Sequence, residues 1–330
     1  MNKLFAAFIL LVSVCAHAQH PTIGYIERLH PSLDKVLNPA GAIEILDSGY
    51  TWVEGPLWLP SQRALLFSDI PSNRVLQWTE AGGSKTYVQP SGYTGSVPRS
   101  GEVGSNGLLL LANGQLLLCQ HGDRRLAVMD APLSAPTARF HTLAAAYQGK
   151  RFNSPNDAVQ TRSGIILFTD PPYGLEGNDK DTAKELPFQG VYQLEQNGKV
   201  RLLTDTISRP NGIGLSPDGK TLVVANSDAG KAGWYGYQYD EKNGLQKGRM
   251  LLDVTPEVRA MGGGLPDGLK FNRLGYLFAT GPGGVWVFDP KLQLVGRIRL
   301  PVLAANLALD ETEKTLYITA TQYVLRLVLR

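Results

Sequence analysis

One short pattern recurs six times along the chain, and few folds can accommodate a chain that repeats itself at this spacing. Each unit opens with a proline or other small or apolar residue, then Asn, Asp or Glu, then a short apolar stretch. The six are Val53-Glu54-Gly55-Pro56, Ser105-Asn106-Gly107-Leu108, Pro155-Asn156-Asp157-Ala158, Pro210-Asn211-Gly212-Ile213, Pro266-Asp267-Gly268-Leu269 and Ala305-Asn306-Leu307-Ala308. A second apolar stretch follows each one, from residues 64–68 in the first unit to 315–319 in the sixth. The turns between include Arg162-Ser163-Gly164 and Pro217-Asp218-Gly219, ordinary hairpin chemistry. Third stretches such as 74–78, 190–194 and 284–288 come next, and fourth ones such as 199–203 in five units. The repeat approaches the length of about 40–50 residues of a four-stranded propeller blade. Helical periodicity is nearly absent; residues 144–147 alone hint at a helical turn. The expected fold is all-β, a six-bladed propeller, which suits six matched units better than a β-sandwich does.

The sixth unit shows three strands before Arg330, whereas residues 43–47 form a strand-like segment belonging to no unit. Pairing the two would complete the last blade and remove an open edge. That gives a propeller over residues 43–330, preceded by an extension over 19–42. Residues 1–18 read as a secretory signal: Lys3, an apolar run over 4–14, and the small-x-small site Ala16-His17-Ala18 before Gln19. The apolar run is shorter than the roughly 20 residues of a membrane span. A lipoprotein reading through Cys15 is weakened by bulky Val14 before it. The expectation is export to a bacterial periplasm or beyond. Cleavage would leave Cys119 without a partner, so burial rather than a disulfide must hold the fold. The 32 basic and 29 acidic residues are interspersed, with no basic block to suggest nucleic acid and no later segment to suggest a membrane helix. The sequence leaves the oligomeric state open.

In a propeller blade the first strand lies innermost and successive strands alternate in direction. The start of the first strand and the turn between the second and third therefore share one face. This places Glu54, Asn106, Asn156, Asn211, Asp267 and Asn306 around one mouth of the channel, with Asp69, His121, Asp170, Ser227, Asp228 and Gly281 in loops above. A single Asn-Gly is more often a turn than a site. Six equivalent positions that all bear oxygen, two of them carboxylates, would repel one another or stay unsatisfied without a cation or ordered water. Carboxylates with amide carbonyls are hard ligands suited to calcium; magnesium, manganese and zinc are the other candidate divalent cations. No Cys/His set has structural zinc spacing.

These residues also carry a family resemblance. Asn153-Ser154-Pro155-Asn156-Asp157-Ala158-Val159 and Phe168-Thr169-Asp170-Pro171-Pro172-Tyr173-Gly174 resemble the gluconolactonase branch of the gluconolactonase/regucalcin family. Ser208-Arg209-Pro210-Asn211-Gly212, Leu265-Pro266-Asp267-Gly268 and Cys119-Gln120-His121-Gly122 match it too, in order and one per blade. The resemblance implies a six-bladed propeller, hydrolysis of a small sugar lactone and a divalent metal in the channel. Paraoxonases and diisopropylfluorophosphatase share the architecture more distantly. Carried over position by position, Glu54, Asn211 and Asp267 match metal ligands, and Asn156 a position that either ligates or binds substrate. Regucalcin-like relatives carry a substrate-binding arginine two residues before that Asn; here Ser154 stands there, with Arg151 or Arg125 as substitutes.

Lactone opening needs charge stabilisation at the carbonyl oxygen and an acceptor for a proton of the attacking water. Asp267 is the expected acceptor, with Asp170 or His121 taking the role if metal ligation makes Asp267 a poor base. Asn106, His121, Asp170 and Tyr173 are the expected substrate-binding residues. Each of the two loop residues has a plainer reading. His121 can be a solvated partner of Asp123, and Asp170 can cap its own loop. Residues 171–189 and 91–104 are long enough to be pocket walls or lids, and Trp52, Trp58, Trp78, Trp234 and Trp286 are expected in blade packing. The rival functions are a phosphotriesterase-like hydrolase, with Asp267 attacking phosphorus, and a propeller that binds a ligand without turnover.

Overall fold

The computed structural model describes residues 20–330; the signal segment and Cys15 lie outside the described residues. Six antiparallel four-stranded arrays follow one another in chain order, as the repeats require. The first blade runs Val53–Leu59, Ala64–Asp69, Arg74–Thr79, Gly83–Val88 from the axis outward. Blades two to five repeat this meander, opening with Ser105–Leu110, Ala158–Gln160, Pro210–Leu215 and Leu269–Phe271. The sixth is built from Ala304–Leu309, Thr315–Ala320 and Tyr323–Val328, and its outer strand is Ile43–Ser48 from the beginning of the fold. Ile43 stands opposite Leu327 and Ser48 opposite Tyr323. The ring is closed by hydrogen bonds between distant parts of one chain, so Tyr323–Val328 is not left as an edge and Ile43–Ser48 becomes the outer strand.

Three local features depart from the sequence reading. Tyr25–Arg28 adds a fifth strand to blade five, pairing with Leu294–Arg299, so part of the extension belongs to the propeller. The helical turn expected at 144–147 is instead the end of a strand, Phe140–Ala144, followed by a small hairpin of Ala146–Tyr147 with Lys150–Arg151. Gln148 and Gly149 at its tip both have positive φ, a backbone that closes a hairpin and cannot continue a helix. Among the described residues the α-helix is Thr255–Met261, with Pro256 in its first turn and left-handed Gly262 ending it. It is seven residues long, and among the described residues no helix is long and apolar enough to cross a membrane.

Apolar side chains alternate toward neighbouring blades, so the core consists of layers between sheets. Trp234 and Trp286 pack 5.5 Å apart between blades four and five, while Trp58 stacks on Tyr317 at 5.2 Å between blades one and six. Burial of each such side chain stabilises the fold by roughly 1.5–3 kcal/mol before entropy is counted. Cys119 is buried in the layer between blades two and three, and burial pushes its thiol well above the usual range. It serves as a small apolar side chain.

Toward the axis the strands change character. The ladder between first and second strands is broken at Glu54/Leu57, Ser105/Leu108, Pro210/Ile213 and Ala304/Asn306. Such irregularities re-aim a side chain out of the regular pleat. The glycine after the polar residue serves a second need, the close approach of one inner strand to the next. A Cβ at Gly55 would fall 2.0 Å from the Asn106 carbonyl oxygen, and one at Gly212 2.2 Å from that of Asp267. Asn-Gly and Asp-Gly here are therefore inter-blade contacts rather than hairpin turns. Hydroxyls on the second strands satisfy buried carbonyls of the inner strands: Ser68 donates to Asn106 O at 2.9 Å, Thr169 to Asn211 O at 2.6 Å and Thr280 to Ala305 O at 2.9 Å.

Candidate functional site

A cavity of about 330 Å³ opens on the axis at the face where the inner strands begin. Glu54, Asn106, Asn156, Asn211 and Asp267 all line it, each from a different blade, together with Tyr173. Glu54 and the three asparagines are almost wholly buried, while Asp267 keeps a partial opening to the cavity. The convergence expected from the repeat is therefore present. Asn306, the sixth member of the ring, stands apart: its Oδ1 accepts from Leu307 N at 2.8 Å, and its side chain lies near enough to Glu54 to favour the ionised carboxylate. It supports the ring and does not line the cavity.

Glu54 and Asp267 line the same cavity and are near enough for each charge to bear on the other. Burial, and then repulsion between carboxylates, hold both well above the usual range. Two carboxylates placed like this share protons or a cation. The amides are oriented consistently with the second option. Asn211 spends its Nδ2 on Ser227 Oγ at 2.9 Å, and Asn156 directs its Nδ2 toward His121 Nε2 at 3.4 Å. The Oδ1 of Asn156 is thereby left buried with no hydrogen-bond partner, and so is that of Asn106. Buried carbonyl oxygens without partners are uncommon and costly. Two facing carboxylates with an unsatisfied amide oxygen form a donor set that fits a hard divalent cation.

The two loop residues divide. His121 is fully buried rather than solvated, and its neighbour is not Asp123: its Nδ1 lies 3.2 Å from Glu102 Oε2. Asp123 is taken by Arg125 and Thr94. Asp170 is also fully buried but does not line the cavity; its two oxygens accept from Asn153 N at 2.8 Å and Ser154 N at 2.7 Å. Its plainer reading, a cap on its own loop, is the one the geometry favours. Burial pushes its carboxyl up to about 7 despite those two donors. Of the other loop positions, Ser227 lines the cavity, whereas Asp69 is tied to Arg74 at 2.9 Å and Asp228 to Ser208 at 2.6 Å.

Ser154, at the position of the relatives' arginine, donates to Pro171 O at 2.6 Å and accepts from Gly174 N at 2.9 Å, pinning the turn that carries Tyr173. Arg125 and Arg151 are engaged with Gln120 and with the Asp123 carbonyl, and neither reaches the cavity. Trp52 and Glu102 also line the cavity, and the repeat points to neither. The sequence places Trp52 in blade packing, whereas here it faces the cavity. Glu102 lies on the 91–104 loop, whose length was its one signal. That loop is fastened by Arg99, which donates to Gly122 O at 2.7 Å and Gly174 O at 2.9 Å. The two long insertions thus form fixed walls joined to each other. Leu265 and Leu303 add apolar surface at the rim.

The model of the SMP-30/Gluconolactonase/LRE-like region matches residues 52–322, nearly the whole propeller. The chain belongs to this family. It is 38% identical to a gluconolactonase of Zymomonas mobilis over 92% of this chain and 86% of that protein. A pentonolactonase of Haloferax volcanii is 25% identical, over 78% of this chain and 76% of its own length. Among solved structures, a gluconolactonase of Xanthomonas campestris superposes with a TM-score of 0.79 at 30% identity, covering 96% of this chain and 99% of that one.

Proposed function

We propose that this family member hydrolyses a small sugar lactone, with a divalent cation, calcium first among candidates, held by Glu54, Asn156, Asn211 and Asp267. The observation that carries the reading is one site: carboxylates from blades one and five meet beside an unsatisfied amide oxygen, in a chain 38% identical to a gluconolactonase over most of both lengths. A cation held there would supply positive charge to a lactone carbonyl oxygen as the carbonyl carbon becomes tetrahedral. The chain's own groups bind and orient the substrate. Asn106 offers its free Oδ1 to a sugar hydroxyl. Burial raises the Tyr173 phenol, so it stays protonated and donates. Trp52 supplies a flat wall for the sugar ring. Arg99 and Ser154 keep the surrounding loops in place, so the pocket is formed before substrate arrives. Residues 1–18 support export as the setting for this activity.

The test is a hydrolysis screen over aldonolactones of five and six carbons, with and without a chelator and with each divalent cation restored. An organophosphate ester serves as the competing substrate. Lactone turnover lost on chelation and regained with calcium supports the reading. Hydrolysis of the phosphate ester alone would favour the phosphotriesterase rival, and metal-independent binding without turnover would favour a binding propeller.

A further inference from the structure

We propose that Glu102 is the catalytic general base for lactone opening, backed by His121; this rests on the lactonase reading. The cavity is lined by three carboxylates, Glu54, Glu102 and Asp267, and Glu102 adds its repulsion to the other two. A carboxylate whose lone pairs are committed to a cation is a poor proton acceptor, which turns Asp267 from the base expected on sequence into a ligand. Glu102 is the carboxylate left over. It is partly open to the cavity, and among the described residues its one ion-pairing contact is His121.

The contacts behind Glu102 hold it in place. Gly104 donates to Ile70 O at 2.9 Å and its own carbonyl accepts from His121 N at 3.2 Å, bringing the loop against the buried histidine. Two residues before Gly104, the Glu102 side chain meets His121 Nδ1 at 3.2 Å. Asn156 Nδ2 can only donate, so His121 Nε2, 3.4 Å away, must accept. The histidine proton is therefore on Nδ1, where it completes no hydrogen bond; Glu102 Oε2 lies 3.2 Å away, off the N–H direction. Arg99, clamped to Gly122 and Gly174, and Ser100 N, bonded to Glu176 Oε1 at 3.1 Å, fix the loop upstream. Glu54, Asp267 and Tyr173 share the cavity with Glu102, and His121 lies behind it. The fixed loop and the histidine ring beside it keep the Glu102 carboxylate at the cavity wall while leaving the group free to take a proton.

In the reaction, a water oxygen bonds to the lactone carbonyl carbon as one water proton passes to Glu102 and the carbonyl π pair moves onto oxygen. When that pair returns, the bond from the carbonyl carbon to the ring oxygen breaks. The leaving oxygen takes the proton from Glu102 and becomes a hydroxyl. The other water proton stays on the new carboxyl group until solvent takes it, so the sum is lactone plus water to a hydroxy carboxylate and a proton.

The experiment compares Glu102→Gln, Glu102→Asp and Glu102→Ala in the full chain with calcium present, using glucono-1,5-lactone. The Gln variant should lose about 10²- to 10⁴-fold in kcat, the span of a positioned acid–base group, with calcium affinity by calorimetry unchanged. The Asp variant should retain more than Gln, and added formate should restore part of the Ala variant's turnover. Wild-type kcat in the Gln variant would overturn the assignment. So would loss of calcium affinity with no formate rescue, which would mark Glu102 as structural. A wild type inactive on every lactone would remove the lactonase reading and this one together, whereas an active wild type beside an unimpaired Gln variant would remove only this one.

Discussion

Two places in this propeller bury carboxylates, and they differ in what surrounds the oxygens. At Asp170 both oxygens are met by backbone N–H groups of the adjacent segment, from Asn153 and Ser154. At the axis Glu54 accepts from its neighbour Gly55 N at 3.1 Å and faces Asp267, beside an amide oxygen with no partner. Both environments raise the carboxyls through burial, so a displaced titration does not separate structure from function. The difference lies in satisfaction: one carboxylate has its donors built in, while the other pair is short of positive charge. A buried polar group that is left incomplete is the better pointer to a ligand.

The comparison can be broken most forcefully at Asp267. Asp267→Asn should reduce lactone turnover by about 1000-fold or more, since a cation's charge stabilisation is worth several kcal/mol, and should abolish calcium binding while the far-ultraviolet spectrum stays that of a folded β protein. Glu54→Gln should weaken calcium by at least the roughly 10- to 100-fold that loss of even an outer partner costs, read by calorimetry. Asp170→Asn should behave in the opposite way. It removes a charge acceptor from two backbone donors and should cost about 1–3 kcal/mol of stability, with kcat of the folded protein preserved. Ser227→Ala frees the Asn211 amide and should weaken calcium by roughly 10-fold, the low end for an orienting partner.

Asp170 also makes a pH prediction. Its carboxyl is raised from the ordinary 3.8 to about 7 in the fold. The folded protein therefore holds this proton where the unfolded chain has released it. The group's contribution is fullest below the unfolded value, and it fades as pH rises from about 4 to about 7. Asp170→Asn should flatten that part of the urea midpoint against pH; an unchanged slope would show that another group sets it.

Much of the axial site was legible because each of its residues occupies the same place in a repeated unit. Once the units are aligned, Glu54, Asn106, Asn156, Asn211 and Asp267 must face one axis, whatever their separation in sequence. The closing strand was legible for a related reason, since the sixth unit lacked one strand and Ile43–Ser48 had no unit of its own. Glu102 and Trp52 lie in connections that do not repeat, so no alignment of units could place them. Asp170 misled because it too sits at a repeated position, yet its side chain turns back to its own loop. The fifth strand of blade five, Tyr25–Arg28, escaped because four residues carry too little alternation to stand out.

The most direct test of the central claim is terbium luminescence in protein stripped of metal, excited through tryptophan, because Trp52 lines the cavity in which the cation is placed. The account expects saturable one-site emission that calcium displaces, that needs far more terbium in Glu54→Gln, disappears in Asp267→Asn, and persists in Asp170→Asn. Emission of undiminished strength and affinity in the Glu54→Gln/Asp267→Asn double variant would contradict it.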